Sequence, residues 1–154
     1  MSLDLGSIAP DFELASSTGE TFSLKQFKND KIVILSFHPM SFTGGWTHQV
    51  SSFRRKVKEF EEKSTQVLGL SIDSAAVQKT FSITLGGLPY PLLADFHPKG
   101  EVAQAYDVWN PDKGTSLRAV AIVDKQGILR FRQLYQSGQL PDPDALLLEI
   151  DKYL

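Results

Sequence analysis

The 154-residue chain has no cysteine. Disulfides, thiolate metal sites and thiol nucleophiles are therefore excluded, because each needs a sulfur that only cysteine supplies. The absence assigns no redox compartment. Clustered basic charge is also missing. The formal net charge is −2 and no long Lys/Arg run occurs, so the electrostatic footprint of a nucleic-acid partner is absent. The densest basic stretch, Arg54-Arg55-Lys56-x-Lys58, runs straight into Glu59, Glu61 and Glu62 and reads as a solvated helix face. Apolar runs stop at strand length, so no membrane span is expected. The first residues carry neither a basic region nor an apolar stretch. No secretory signal is expected there, and a cytoplasmic location is the default. His38, His48 and His97 show no metal-ligand spacing, so neither a metal nor a cofactor is expected.

What is present is ordinary for a globular protein. Hydrophobic residues make up 42% and charged residues 22%, enough for one domain spanning residues 1–154 with a real core. The order of elements is informative. Phe12 and Leu14, a Ser17-Thr18-Gly19-Glu20 turn signal and a return strand over 21–24 predict an N-terminal hairpin. Lys31–Phe37 is a continuous apolar run, as a strand covered on both faces requires. Val50, Phe53, Val57 and Phe60 then recur at helical spacing over 47–63.

Residues 66–72 predict a second buried strand, and Ser74 is placed to cap a helix running to Thr84. A Gly/Pro loop over 85–91 precedes a short strand at 92–94 and a short helix at 100–106. Residues 109–115 read as a loop. The strands 119–123 and 128–132 flank Asp124-Lys125-Gln126-Gly127, a hairpin signal. Asp142-Pro143-Asp144 opens a last helix, with Leu146, Leu147, Ile150 and Leu154 on its apolar side. Strands alternating with helices argue for a mixed α/β sheet covered on both faces.

The motifs go further. The chain contains Pro39-x-x-x-Thr43-x-x-Trp46 directly after the apolar strand. It also carries Ala9-Pro10-Asp11-Phe12-x-Leu14, then Tyr90-Pro91-Leu92-Leu93-Ala94-Asp95, then Glu101–Tyr106, and Arg118 six residues before Asp124. In this order they resemble the peroxiredoxins, also called the alkyl hydroperoxide reductase and thiol-specific antioxidant family. The Asp95-Phe96-His97-Pro98-x-Gly100 stretch and Phe42-Thr43-Gly44 are most similar to the alkyl hydroperoxide reductase E subgroup, with the bacterioferritin-comigratory subgroup next.

The resemblance implies a thioredoxin-like three-layer sandwich, with a central mixed sheet, flanking helices and an N-terminal hairpin. It implies a homodimer and a site at Pro39, Thr43, position 46 and Arg118. In that family position 46 is the cysteine that reduces peroxide. It lies in the first turn of a helix, where the dipole and an arginine lower its pKa. The thiolate becomes a sulfenic acid that another thiol resolves.

Trp46 removes that nucleophile. Indole offers one N–H donor and no anion near neutral pH. Neighbouring positions also depart from the family. Gly45 stands where a larger residue is usual, Gln49 where Glu is common, and Ser51 where the second subgroup often has a resolving cysteine. The leading expectation is a peroxiredoxin-like protein without thiol-peroxidase activity. Its role would be scaffolding, or binding a small anionic or apolar ligand near Trp46 and Arg118.

A working peroxide-reducing enzyme with a misread codon 46 is the alternative, since Cys and Trp codons differ by one base; resequencing the gene decides it. A weaker alternative is a hydrolase using Ser41, Thr43, Thr47 or Ser51 with His38 or His48, although no third orienting group is evident. His38 reads more simply as a packing or hydrogen-bonding residue, and Met40 and Phe42 as local packing or dimer contacts.

Overall fold

A computed structural model describes residues 2–42, 46–136 and 138–154, with the backbone alone at 46–48. The apolar run becomes β3 (Ile32–Phe37), buried at every residue. Its neighbours are β4 (Thr65–Ser71), which is parallel to it, and β8 (Arg118–Val123), which is antiparallel. The parallel strand β5 (Leu92–Ala94) and the antiparallel strand β9 (Leu129–Tyr135) complete the order β5-β4-β3-β8-β9. A strand with partners on both edges and helices on both faces has no water-facing side, which is why β3 shows no alternation in the sequence.

Alternation survives in the packing. Ile32 and Ile34 of β3 join one apolar cluster, and Val33, Leu35 and Phe37 join the other. The first cluster receives α1 (Trp46–Glu62), through Val50, Phe53, Val57 and Phe60, and α4 (Pro143–Ile150), through Leu146, Leu147 and Ile150. The Phe53 and Phe60 rings lie 6.0 Å apart. The second cluster is covered by α3 (Glu101–Ala105), through Val102 and Ala103, and by Phe12, Leu24 and Phe27 of the N-terminal segment. That segment forms the expected hairpin, β1 (Glu13–Ala15) against β2 (Thr21–Ser23), with Leu14 opposite Phe22.

Helix ends follow the sequence signals. Ser74 caps α2 (Ala75–Thr84), its hydroxyl accepting from the Val77 N–H at 3.2 Å. Asp142 caps α4 in the same way through the Asp144 N–H at 3.0 Å. Ser74→Ala is expected to cost about 1 kcal/mol in urea unfolding; a loss below a few tenths would show that the cap is not used.

Asp95 has a structural task that its motif did not announce. Its two carboxylate oxygens accept from the Val102 and Ala103 N–H groups at 3.0 and 2.9 Å, tying the start of α3 to the end of β5. Gly100, just before α3, is left-handed at φ 69°. A Cβ added there would lie 2.1 Å from the ring carbon Cζ3 of Trp109.

Two expectations are corrected. The stretch expected as a loop contains β6 (Trp109–Asn110) paired with β7 (Thr115–Ser116). Its turn is closed by the Gly114 N–H donating to the Asn110 carbonyl at 2.9 Å. Strands of two residues leave no periodic signal. Leu154 does not join the α4 stripe: the chain tightens into a 3-10 turn at Asp151–Tyr153, and Leu154 is 63% exposed.

Candidate functional site

Three elements converge at the C-terminal end of β3. Phe37 pairs with Ala119 of β8, so one step further His38 comes beside Arg118. The backbone of His38 is pinned on both sides: its N–H donates to the Leu70 carbonyl at 3.0 Å, and its carbonyl accepts from the Ser116 hydroxyl at 3.0 Å. The chain then passes half-buried Pro39 and enters α1 at Trp46.

His38 is 1% exposed and opens a directed hydrogen-bond chain. The Gln78 Nε2 of α2 donates to the Leu93 carbonyl at 2.9 Å and to the Ser71 hydroxyl at 2.7 Å. A carbonyl only accepts, so the Gln78 amide orientation is fixed and its Oε1 is the acceptor. The Ser41 hydroxyl donates to that oxygen at 2.6 Å. His38 Nε2 lies 3.4 Å from Ser41 Oγ, whose one proton is already used, so His38 is the donor in that contact. Asp73 Oδ2 closes the chain, accepting from the Ser71 hydroxyl and from the Ser41 N–H, both at 2.6 Å.

This arrangement bears on hydrolase chemistry. A serine nucleophile needs a base that accepts its proton. Ser41 gives its proton to an amide oxygen instead, and burial makes His38 a poor base. Burial pushes the imidazole down to about 4, with nearby Asp73 opposing and Arg118 reinforcing the shift.

The unfolded chain therefore holds the His38 proton up to about pH 6.5, while the native state releases it above about pH 4. Between these values the unfolded state binds more protons, so stability falls as pH drops through that window and the effect vanishes above it. At pH 4.5 the loss from this one group is about 2.5 kcal/mol. Urea unfolding at pH 7 and pH 4.5 should show that His38→Gln lacks this part of the acid sensitivity. An equal acid loss in both proteins would refute the assignment.

Arg118 enters from β8. Its Nη1 donates to the Gln139 carbonyl at 2.9 Å, while its Nε is buried with no hydrogen-bond partner among the described residues. Burial lowers the guanidinium pKa from its ordinary value. Gln49, in the first turns of α1, is fully buried. Its Nε2 donates to the Ser36 hydroxyl at 2.8 Å and to the Phe37 carbonyl at 3.3 Å. Its Oε1 is buried and unpartnered among the described residues. An unmet donor on β8 and an unmet acceptor on α1 thus flank the end of β3. Buried polar atoms are seldom left so.

Of the four residues anticipated here, Pro39 and Arg118 lie at the described end of the sheet. Thr43 falls outside the described residues, as do Gly44 and Gly45, and Trp46 is described only as the first residue of α1. The side chain of His48 is likewise outside them. Phe42 packs its ring against Phe81 at 5.0 Å, edge to face, and Met40 is exposed. Gln78, Ser71 and Asp73 were not anticipated. Gln78 lies three residues before Phe81 on the inner side of α2, and a polar residue on that stripe is the signal that marks it.

A five-stranded mixed sheet with helices on both faces and an N-terminal hairpin is the thioredoxin-like α/β fold of the peroxiredoxins. The chain belongs to the AhpC/TSA family, which matches residues 5–132. It is 35% identical over 140 residues to alkyl hydroperoxide reductase E of Mycobacterium bovis, covering 91% of each chain. It is 36% identical over 139 residues to the chloroplastic 2-cysteine peroxiredoxin of Chattonella marina var. antiqua, covering 84% of this chain and 70% of that one. Among solved structures, Mycobacterium tuberculosis AhpC superposes with a TM-score of 0.85 at 25% identity, covering 99% of this chain and 94% of the other. Enterococcus faecalis AhpC gives 0.89 at 23% identity, covering 99% and 92%, a likeness of fold. No helix among the described residues is long and apolar enough to cross a membrane.

Proposed function

We propose that this AhpC/TSA protein does not reduce peroxides and instead binds a small ligand at the C-terminal end of β3, where β8 and α1 meet it. One observation carries the reading: a family whose reaction begins at a cysteine thiolate is represented by a chain without any cysteine. The indole at position 46 supplies no replacement nucleophile. Arg118 Nε and Gln49 Oε1, unpartnered among the described residues, support a retained binding role, because a small ligand carrying both an acceptor for the guanidinium and a donor for the amide oxygen would satisfy them. Pro39, Thr43 and Trp46 complete the proposed site. The protein is proposed to act as one domain, as a homodimer and in the cytoplasm, by likeness to the family.

The test has two arms. Purified protein is assayed with hydrogen peroxide and organic hydroperoxides in the presence of a thiol reductant; turnover above the uncatalysed rate would end the proposal. Thermal-shift screening of small anions and apolar compounds then follows, because a ligand of the native state raises the melting temperature with occupancy. Hits should weaken on Arg118→Ala. A stabilising ligand indifferent to Arg118 would move the binding role elsewhere.

A further inference from the structure

A cavity of about 280 Å³ lies at the other end of the sheet, where β3 begins and β8 ends. Its floor is apolar: Leu24, Phe27, Val33 and Val123 line it, and each is buried in the main core. Its mouth is basic. Lys25, Lys28 and Lys31 come from one short segment, a 3-10 turn at Lys25–Phe27 and the loop leading from it into β3. None of the three forms an ion pair among the described residues.

Two carboxylates also line the cavity, and both are engaged. Asp124 accepts the Arg130 Nε at 2.6 Å and the Gln126 and Ile128 N–H groups at 2.9 Å each. Asp11 accepts the Lys25 N–H at 3.1 Å. With Asp124 neutralised by Arg130, Asp11 opposes three lysines and the rim keeps a surplus of positive charge. Ile8, 80% exposed, stands beside it and adds apolar surface at the entrance.

We infer that this cavity is a binding site for a small amphipathic anion, an aliphatic monocarboxylate of medium chain length. The apolar floor takes the chain by burying it from water. The unpaired ammonium groups take the carboxylate at the mouth, each as a compact point charge that needs no fixed fork geometry. Size sets the limit. The cavity lies just under the usual range of small-molecule pockets, about 300–1,000 Å³, so a chain of roughly eight carbons fits better than a long-chain lipid. This site is separate from the proposed site at Arg118 and does not depend on its reading.

Octanoate is the probe, followed by amide chemical shifts on isotope-labelled full-length protein. Binding is expected at about 0.1–1 mM, with the largest shifts at Gly127 and Ile128. Octan-1-ol, which keeps the chain, and acetate, which keeps the charge, should each bind at least about fivefold more weakly. The Lys25→Gln/Lys28→Gln variant changes two exposed side chains and should weaken octanoate about fivefold. Added salt should weaken it as well. Octanoate shifts confined to His38 and Arg118 would overturn the assignment. So would octan-1-ol binding as tightly as octanoate, or no binding at ten millimolar (about tenfold above the expected range).

Discussion

Trp46→Cys is expected to give peroxide reactivity through a thiol, a group that the natural sequence does not contain. Position 46 is the first residue of a seventeen-residue helix. Backbone N–H groups at such an end lack intrahelical partners, and the dipole there favours an anion. Arg118, on the strand next to β3, brings a cation to the same end of the sheet. Together they should bring a thiol at position 46 to a pKa of about 6–7, below the ordinary ~8.5. The thiolate would attack one peroxide oxygen and break the O–O bond. The leaving oxygen departs as alkoxide or hydroxide and takes a proton from solvent. The sulfur becomes sulfenic acid, and an added thiol reduces it. Thiolate absorbance against pH and peroxide consumption measure the two steps. Arg118→Ala on this background should raise the thiol pKa by about one unit. An ordinary thiol pKa with no peroxide consumption would mean that the surroundings have lost more than the nucleophile.

The largest stability effect is expected at Gly100. Its left-handed backbone costs a residue such as alanine about 1–2 kcal/mol. The new Cβ would also meet the Trp109 ring at 2.1 to 2.6 Å, and such overpacking adds about 1–3 kcal/mol. Gly100→Ala should therefore lose about 2–5 kcal/mol, a fall in melting temperature of roughly 10 °C for a chain of this size. The two parts can be separated. Trp109→Ala removes the clash but leaves the backbone cost, so the double variant should lose less than the sum of the single ones. A loss under about 1 kcal/mol for Gly100→Ala would show that neither contribution operates.

The sequence was most legible where a pattern is long. Val50, Phe53, Val57 and Phe60 repeat over several turns and marked α1 within a residue at each end. Ser74 and Asp142 marked helix starts because a short side-chain oxygen can meet an orphan N–H there. The hairpin at β6 and β7 was not legible, since two residues per strand carry no period. Of the motif residues, Pro39 and Arg118 lie at the end of β3, while Thr43 falls outside the described residues. The polar chain from His38 through Ser41 and Gln78 to Asp73 joins residues up to forty positions apart in the sequence, and only the parallel pairing of β3 with β4 brings them together. Spacing along the chain holds no record of such a pairing. Leu154 failed for the opposite reason: helical spacing was extended past the point where the helix tightens and ends.

Strand β3 has a consequence for how this protein tolerates change. Val33 and His38 sit near its two ends, five residues apart, about 16 Å along an extended strand. Every residue from Ile32 to Phe37 is enclosed, so the intervening stretch has little room to transmit a small rearrangement. Sites separated by more than about 10 Å with no shared partners usually combine their effects independently. The lysine-rimmed end can therefore accumulate substitutions without retuning the histidine end, and the reverse holds too. A protein built this way can lose one chemistry at the rim of its sheet and keep a working scaffold everywhere else.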